Sequence, residues 1–251
     1  MCPRIRRAGN SGRSADTARA HGAFQGVLID LFGTLVPAGP REHRAPHLYE
    51  MARILKVDPV EFEKDWAESF DQRVSGQLGS LSETIRCISE RQGVEPSSDH
   101  VEQALKIRLS FTKAHLEACE PLLPELDALR AAGVRLAVVS DASEEAPRLW
   151  PFIALGRRFE AAVFSCEEGF CKPDPRMYRL ALQRLDLPAG RCAFVGDGGS
   201  QELTGATAVG LAAFLYRFPG DRAGPDSRYL PDREWKGPPL SSLRDLLPTT
   251  R

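Results

Sequence analysis

The 251-residue sequence lacks any apolar run near the roughly 20 residues that a membrane-spanning helix needs, so no membrane partner is expected. It also lacks net charge. Its 33 Lys and Arg stand against 34 Asp and Glu, and no overall field draws it to nucleic acid or to an anionic surface. No two of its six cysteines (Cys2, Cys87, Cys119, Cys166, Cys171, Cys192) form a C-x-x-C pair. Cys166 and Cys171 are five apart, but no further Cys or His pair completes four metal ligands. Thiols scattered through apolar stretches read as small buried hydrophobes in a reducing, cytoplasmic setting. The first 23 residues have no hydrophobic h-region, which excludes a secretory signal. Their five Arg against the single acidic Asp16 faintly suggest a transit peptide. The preferred reading is a disordered extension that joins no core. Internal repeats are missing as well.

What is present is an alternation of short apolar runs with helical stretches. The runs are Val27–Phe32, Val134–Ser140, Ala161–Ser165, Cys192–Asp197 and Ala212–Phe218, and each ends at or near a small, polar or acidic residue. Their length and β-branched content predict buried parallel strands. Between them, Leu123–Ala132 is expected to be a helix stopped by Gly133, and Asp174-Pro175 is expected to open another as N-cap and first helical residue. This pattern predicts an α/β fold, a Rossmann-like doubly wound parallel sheet.

The spacing adds a second feature. A strand–helix–strand unit takes about 30 residues, yet Asp30 and Ser140 are 110 apart. The surplus carries helical periodicities: Leu48, Met51, Ala52 and Leu55; Phe62, Trp66, Phe70 and Val74; Val101, Leu105, Leu109, Thr112 and Leu116. Asp58-Pro59 reads as a helix start and Gly93 as a stop. The aromatic stripe of the second set reads as bundle core. A helical unit over residues 40–118 is therefore expected, inserted into a core formed by 24–39 and 119–218. Residues 219–251 are expected to form a Pro- and Gly-rich tail, with one short helix at Ser241–Leu247 and Trp235 anchoring it to the core.

In open α/β sheets ligands bind beyond the carboxyl ends of the strands. Here those ends present Asp30, Ser140 and Asp197, with Lys172 one strand and loop away. In this order the segments VLIDLFGTL, LAVVSD, CKPDP and VGDGGSQEL resemble the four motifs of the haloacid dehalogenase superfamily, over roughly Gly26 to Phe218. The helical insertion resembles the cap of the subfamily that contains phosphoglycolate phosphatases and 2-haloacid dehalogenases. The resemblance implies Asp30 as nucleophile, Ser140 as a hydrogen-bond donor to the transferring group, and Lys172 as the balancing cation. It further implies Mg²⁺ held by Asp30, Asp197 and the main-chain oxygen of Phe32. Glu202, where the family often has a second acidic residue, is expected to bind the ion through water or to serve as a plain helix N-terminal Glu. Phe32, Gly33, Thr34, Asp141 and the Arg73 of the insertion are expected to border the substrate. Asp141 could equally open the turn into Ser143, and Arg73 could equally sit on a solvated helix end.

Chemistry independent of any family agrees with these roles. A carboxylate attacks an anionic phosphate poorly unless nearby positive charge cancels the repulsion. Lys172 and a divalent ion would supply that charge.

One position departs from the pattern. Phosphatases of the family usually carry a second Asp two residues after the nucleophile, and here that position is Phe32. A missing general acid–base costs typically ~10²–10⁴-fold. Three readings follow. The first is a Mg²⁺-dependent phosphatase whose leaving group needs little help, or in which His43 or His47 replaces the acid. The second is a 2-haloacid dehalogenase, in which an aromatic residue at this position is normal and Glu202 would activate water. The third is a phospho-ligand binder without turnover. The retained Gly196-Asp197 favours the metal-dependent first reading. A cap that closes over small substrates implies a small-molecule partner. The composition suits a monomer or a homodimer.

Overall fold

A computed structural model describes residues 24–38, 41–221 and 235–248, with the side chains of 41–44 excepted. Five strands form one sheet: β1 Gly26–Ile29, β2 Arg135–Ser140, β3 Ala161–Phe164, β4 Cys192–Gly196 and β5 Ala212–Leu215. Their order is β3-β2-β1-β4-β5, and every pairing is parallel. Four strands lie within their apolar runs, and β1 starts one residue ahead of its run, at Gly26. The α/β doubly wound architecture expected from the alternation is the one observed.

Alternate residues of each strand face opposite layers. Val27, Ile29, Leu136, Val138, Ala193 and Val195 join one apolar cluster, together with Leu126 and Leu129 of the helix Leu123–Ala131. Leu28, Ala137, Val139, Cys192 and Phe194 join the other, against Met177, Tyr178, Ala181 and Leu185 of the helix Pro175–Leu185 and Leu203 and Ala206 of Glu202–Ala208. The punctuation acts as expected. Gly133 takes φ +80° after the first of these helices, and the Asp174 side chain accepts from the Arg176 N–H at 2.9 Å.

Among the described residues, five α-helices lie between β1 and the helix Leu123–Ala131 that leads into β2: α1 Arg41–Leu55, α2 Pro59–Glu68, α3 Phe70–Val74, α4 Leu81–Glu90 and α5 Ser98–Glu117. Helices α1, α2, α4 and α5 share an apolar cluster of their own, built from Leu48, Met51, Phe62, Trp66, Ile85, Val101 and their neighbours; Phe70 and Val74 of α3 do not belong to it. Two details differ from the periodicity. The stripe from Phe62 to Val74 is not one helix but two, broken at Ser69. The Ser69 hydroxyl donates back to the Trp66 carbonyl at 2.8 Å, which competes with the helical ladder. Helix α4 has no counterpart in the expected sets, although Ser80 and Glu83 form a capping box at its start.

Beyond β5, Leu240 N–H donates to Leu215 O at 2.7 Å, so the tail covers the outer edge of that strand. Trp235 packs on the second cluster, as expected of an anchor. The short helix is shorter than its expected span, a 3₁₀ turn over Leu243–Leu246, with Leu243 N–H and Ser242 Oγ both 2.7 Å from the Glu125 carboxylate. The expectation for residues 1–23 lies outside the described residues, as does the His43 side chain. Among the described residues no helix is long and apolar enough to cross a membrane.

Candidate active site

The winding changes direction at β1. The chain runs outward through β2 and β3, then returns to the other side of β1 with β4. At such a switch point the loops after the two central strands part and leave a crevice. Asp30 follows β1 and Asp197 follows β4. The register Ile29 to Val195, continued by Asp30 N–H to Val195 O at 2.9 Å, brings the two loops level. Gly33 lets them close. It takes φ +86°, and a Cβ there would stand 2.3 Å from an Asp197 carboxylate oxygen.

Lys172 reaches the centre from the loop after β3. Its Nζ lies 2.5 Å from Asp30 Oδ1 and 2.5 Å from Glu202 Oε2, with all three side chains buried. Thr34 Oγ1 donates to the other Asp30 oxygen at 3.1 Å, so both oxygens of Asp30 are oriented. Asp141 accepts the main-chain N–H of Lys172 at 2.9 Å, which ties the lysine loop to the end of β2. Glu202 does more than favour a helix dipole. Its Oε1 accepts from Gly198 N–H at 3.0 Å, and Tyr178 OH donates to its carbonyl at 2.9 Å. Asp197 accepts from Gly199 N–H at 2.8 Å. Ser140 Oγ is fully buried and has no hydrogen-bond partner among the described residues. Buried hydroxyls are normally paired, so this one is set to meet a polar group from outside the chain.

Charge concentrates here. Asp30, Asp197 and Glu202 offer oxygens that lie within 4.8 Å of one another. Burial first, and the Asp30 charge next, push the Asp197 carboxyl up and the Glu202 carboxyl well up. Asp141 is also raised, chiefly by burial against the pull of Lys172. Burial opposes the Lys172 ammonium, but Asp30, Glu202 and Asp141 together outweigh it and hold its pKa well above the ordinary value. One ammonium cannot balance three converging carboxylates. The donor set is all oxygen, and it carries the excess negative charge that a hard divalent cation would offset. The residues therefore fit a Mg²⁺ site.

Other expected residues lie elsewhere in the arrangement. Phe32 is half-buried and pairs through its main chain with Val36. Its ring sits 5.9 Å from that of His115 on α5. Arg73 is not on a solvated helix end. It is buried, stacks 4.7 Å over Trp66, and donates to Ser143 Oγ at 3.1 Å, three residues beyond Ser140. His47 is buried against Phe111 and lies 2.8 Å from an Arg108 nitrogen. Sequence reasoning missed Arg108, whose Nε is 2.5 Å from Glu145 at the junction of α5 with the loop after β2. It also missed His115 and Tyr178. None of these has a local motif, because their partners are distant in the chain.

A crevice at a parallel-sheet switch point, with an oriented carboxylate, a buried lysine and an acidic cluster, fits the class of α/β hydrolytic enzymes. The family model of the haloacid dehalogenase-like hydrolases matches residues 24–210, and the chain belongs to that family. It is 32% identical over 128 residues to haloacid dehalogenase-like hydrolase domain-containing protein 3 of Mus musculus, covering 51% of this chain and 49% of that one. It is 29% identical over 198 residues to glyceraldehyde 3-phosphate phosphatase of Methanopyrus kandleri, covering 77% and 84%. Against the mouse protein and others similarly matched, the chain spans about half of their length or less. Among solved structures, 2-haloacid dehalogenase from Pseudomonas syringae pv. Tomato DC3000 aligns with TM-score 0.58 at 25% identity, covering 88% and 95%. A family enzyme from Bacteroides thetaiotaomicron, in complex with magnesium and inorganic phosphate, aligns with TM-score 0.57 at 18% identity, covering 80% and 98%.

Proposed function

We propose that this chain is a Mg²⁺-dependent phosphatase acting on a small phosphorylated metabolite, with Asp30 as nucleophile. The observation that carries the reading is the convergence of Asp30, Lys172, Asp197 and Glu202, beside a buried Ser140 hydroxyl that has no hydrogen-bond partner among the described residues.

Asp30 attacks phosphorus, the ester P–O bond breaks, and water then hydrolyses the aspartyl phosphate. Thr34 and Lys172 hold the attacking carboxylate in one orientation, which removes rotational freedom before reaction. Ser140 donates to a phosphoryl oxygen, and Lys172 offsets charge on both nucleophile and substrate. Asp141 positions Lys172 through its main chain, so its part is indirect. Asp30, Asp197 and the Phe32 carbonyl would hold the Mg²⁺, with Glu202 behind Lys172 or through water. Once bound, the ion would supply positive charge to the phosphoryl oxygens. The unit over 40–118 acts as a cap that shuts water out, reaching the core through Arg73 and Arg108. A cytoplasmic setting belongs to the same proposal.

The test is phosphate release from a panel of small phosphate esters with Mg²⁺ or EDTA, using Asp30→Asn as control. Turnover that needs both Mg²⁺ and Asp30 is expected, and wild-type rates in Asp30→Asn would remove the nucleophile assignment. Phe32 favours one second reading, 2-haloacid hydrolysis, because a halide leaves without a proton. Halide release from 2-haloacids with no phosphate release would establish that reading instead.

A further inference from the structure

When the ester P–O bond breaks, its electron pair stays on the leaving oxygen. An alcohol cannot hold that charge well, since its proton affinity is near that of hydroxide (pKa ~15.7 for water), whereas a phenol's pKa is only ~10. The group two residues beyond Asp30 is a phenyl ring with no proton to give. Apart from the Ser140 hydroxyl, which the phosphatase reading assigns to a phosphoryl oxygen, the protic groups around the nucleophile have other partners. Thr34 donates to Asp30, the Lys172 ammonium lies between Asp30 and Glu202, and Asp141 accepts from the Lys172 main chain. His115, the ring next to Phe32, has its Nε2 2.6 Å from the Pro37 carbonyl. In place of an acid, a line of rings leads away from the nucleophile. Phe32 meets His115 at 5.9 Å, His115 meets Phe111 at 6.0 Å, and Phe111 stacks on His47 at 3.7 Å and 10°.

Building on the phosphatase reading, we propose that the substrate is an aryl phosphate, a monoester whose leaving group departs as a phenolate and lies as a planar ring against Phe32. In the first step the Asp30–phosphorus bond forms, the aryl O–P bond breaks, and the phenolate leaves unprotonated. In the second, water attacks phosphorus and the Asp30 carboxylate is released. One proton of that water stays on inorganic phosphate and the other is taken up by the freed phenolate. The balance needs no co-reactant.

The experiment is a series of substituted phenyl phosphates of graded leaving-group acidity, with ethyl phosphate and acetyl phosphate beside them, assayed with Mg²⁺ on the full chain. kcat/KM is the quantity to read, because it covers the steps through leaving-group departure. It is expected to fall steeply with leaving-group basicity. The ethyl ester should lie at least ~10²-fold below p-nitrophenyl phosphate, the lower end of what a general acid contributes. Phe32→Asp should raise the ethyl ester and narrow that gap. Acetyl phosphate, which needs no proton but has no ring, should show a KM about twofold to tenfold above that of phenyl phosphate, as loss of one aromatic contact implies. An ethyl ester cleaved within tenfold of p-nitrophenyl phosphate overturns the proposal while leaving a phosphatase. So does a gap that a folded Phe32→Asp variant leaves unchanged. A KM for acetyl phosphate at or below that of phenyl phosphate overturns the role given to the ring. Phosphate release from no ester overturns both readings together. The wild-type series stands by itself if the variant does not fold.

Discussion

Replacing Glu145 by Gln should strip charge from the seam where the inserted helices meet the core. Glu145 opens the short helix Glu145–Leu149, is 2% exposed, and lies 2.5 Å from Arg108 of α5. Burial alone would raise its pKa. Arg108, and behind it Arg73, outweigh burial and bring it down from an ordinary 4.5 to about 2. That fall corresponds to roughly 3 kcal/mol of preference for the charged, folded form. Removing one partner of a buried pair is independently worth about 3–5 kcal/mol, because the other charge is left uncompensated. Two guanidiniums remain in this case, both stacked on Trp66, at 4.7 Å for Arg73 and 5.0 Å for Arg108. The folded pKa lies below the unfolded one, so the stabilisation is complete above about pH 4.5 and is lost as pH falls toward 2. Urea unfolding followed by tryptophan fluorescence at several pH values gives the difference between wild type and Glu145→Gln. That difference should be about 3 kcal/mol at pH 7 and shrink toward zero near pH 2. The raised carboxylates Asp141, Asp197 and Glu202 shift with pH in the opposite sense, but they are common to both proteins and cancel in the difference. A variant as stable as wild type at pH 7, with a flat difference curve, would refute the reasoning.

Further outcomes follow from the same geometry. Gly33→Ala should cost stability, about 1–2 kcal/mol for the positive φ alone, and should depress turnover further, because its Cβ would stand 2.3 Å from Asp197. Thermal unfolding and kcat check this, and wild-type values for both would show that the loops close some other way. Lys172→Met should abolish phosphate release and bring the three acidic side chains together without their ammonium. The folded variant is expected to bind Mg²⁺ more tightly by calorimetry, and weaker binding would contradict the charge argument. Ser140→Ala should lower kcat with little change in stability, since Ser140 Oγ has no partner among the described residues to lose. A large loss of stability on urea unfolding would show that the hydroxyl has a structural role.

Much of this protein follows from the order of its residues alone. Mostly apolar strands of four to six residues, helix caps at Asp58 and Asp174, and stops at Gly93 and Gly133 are local effects, decided by neighbours a few positions away. The places of Asp30, Ser140, Lys172 and Asp197 were legible too, because a parallel sheet puts all its strand ends on one side. Local rules also explain what was misread. The back-bond of Ser69 broke a stripe that periodicity made continuous, and α4 had a capping box that was overlooked. Other features were decided only by tertiary structure. Asp141 could equally have opened a turn until Lys172, 31 residues on, donated its main chain to it. Glu202 balances Lys172 only because the loops after β3 and β4 meet. Arg73 was turned from a surface residue into a buried tether by Ser143, 70 residues away. The ring line from Phe32 to His47 joins the loop after β1 with α1 and α5. The physical reason is the same in each case. Local propensities act over a few residues, whereas burial, charge balance and ring contact depend on which distant segments the fold packs together.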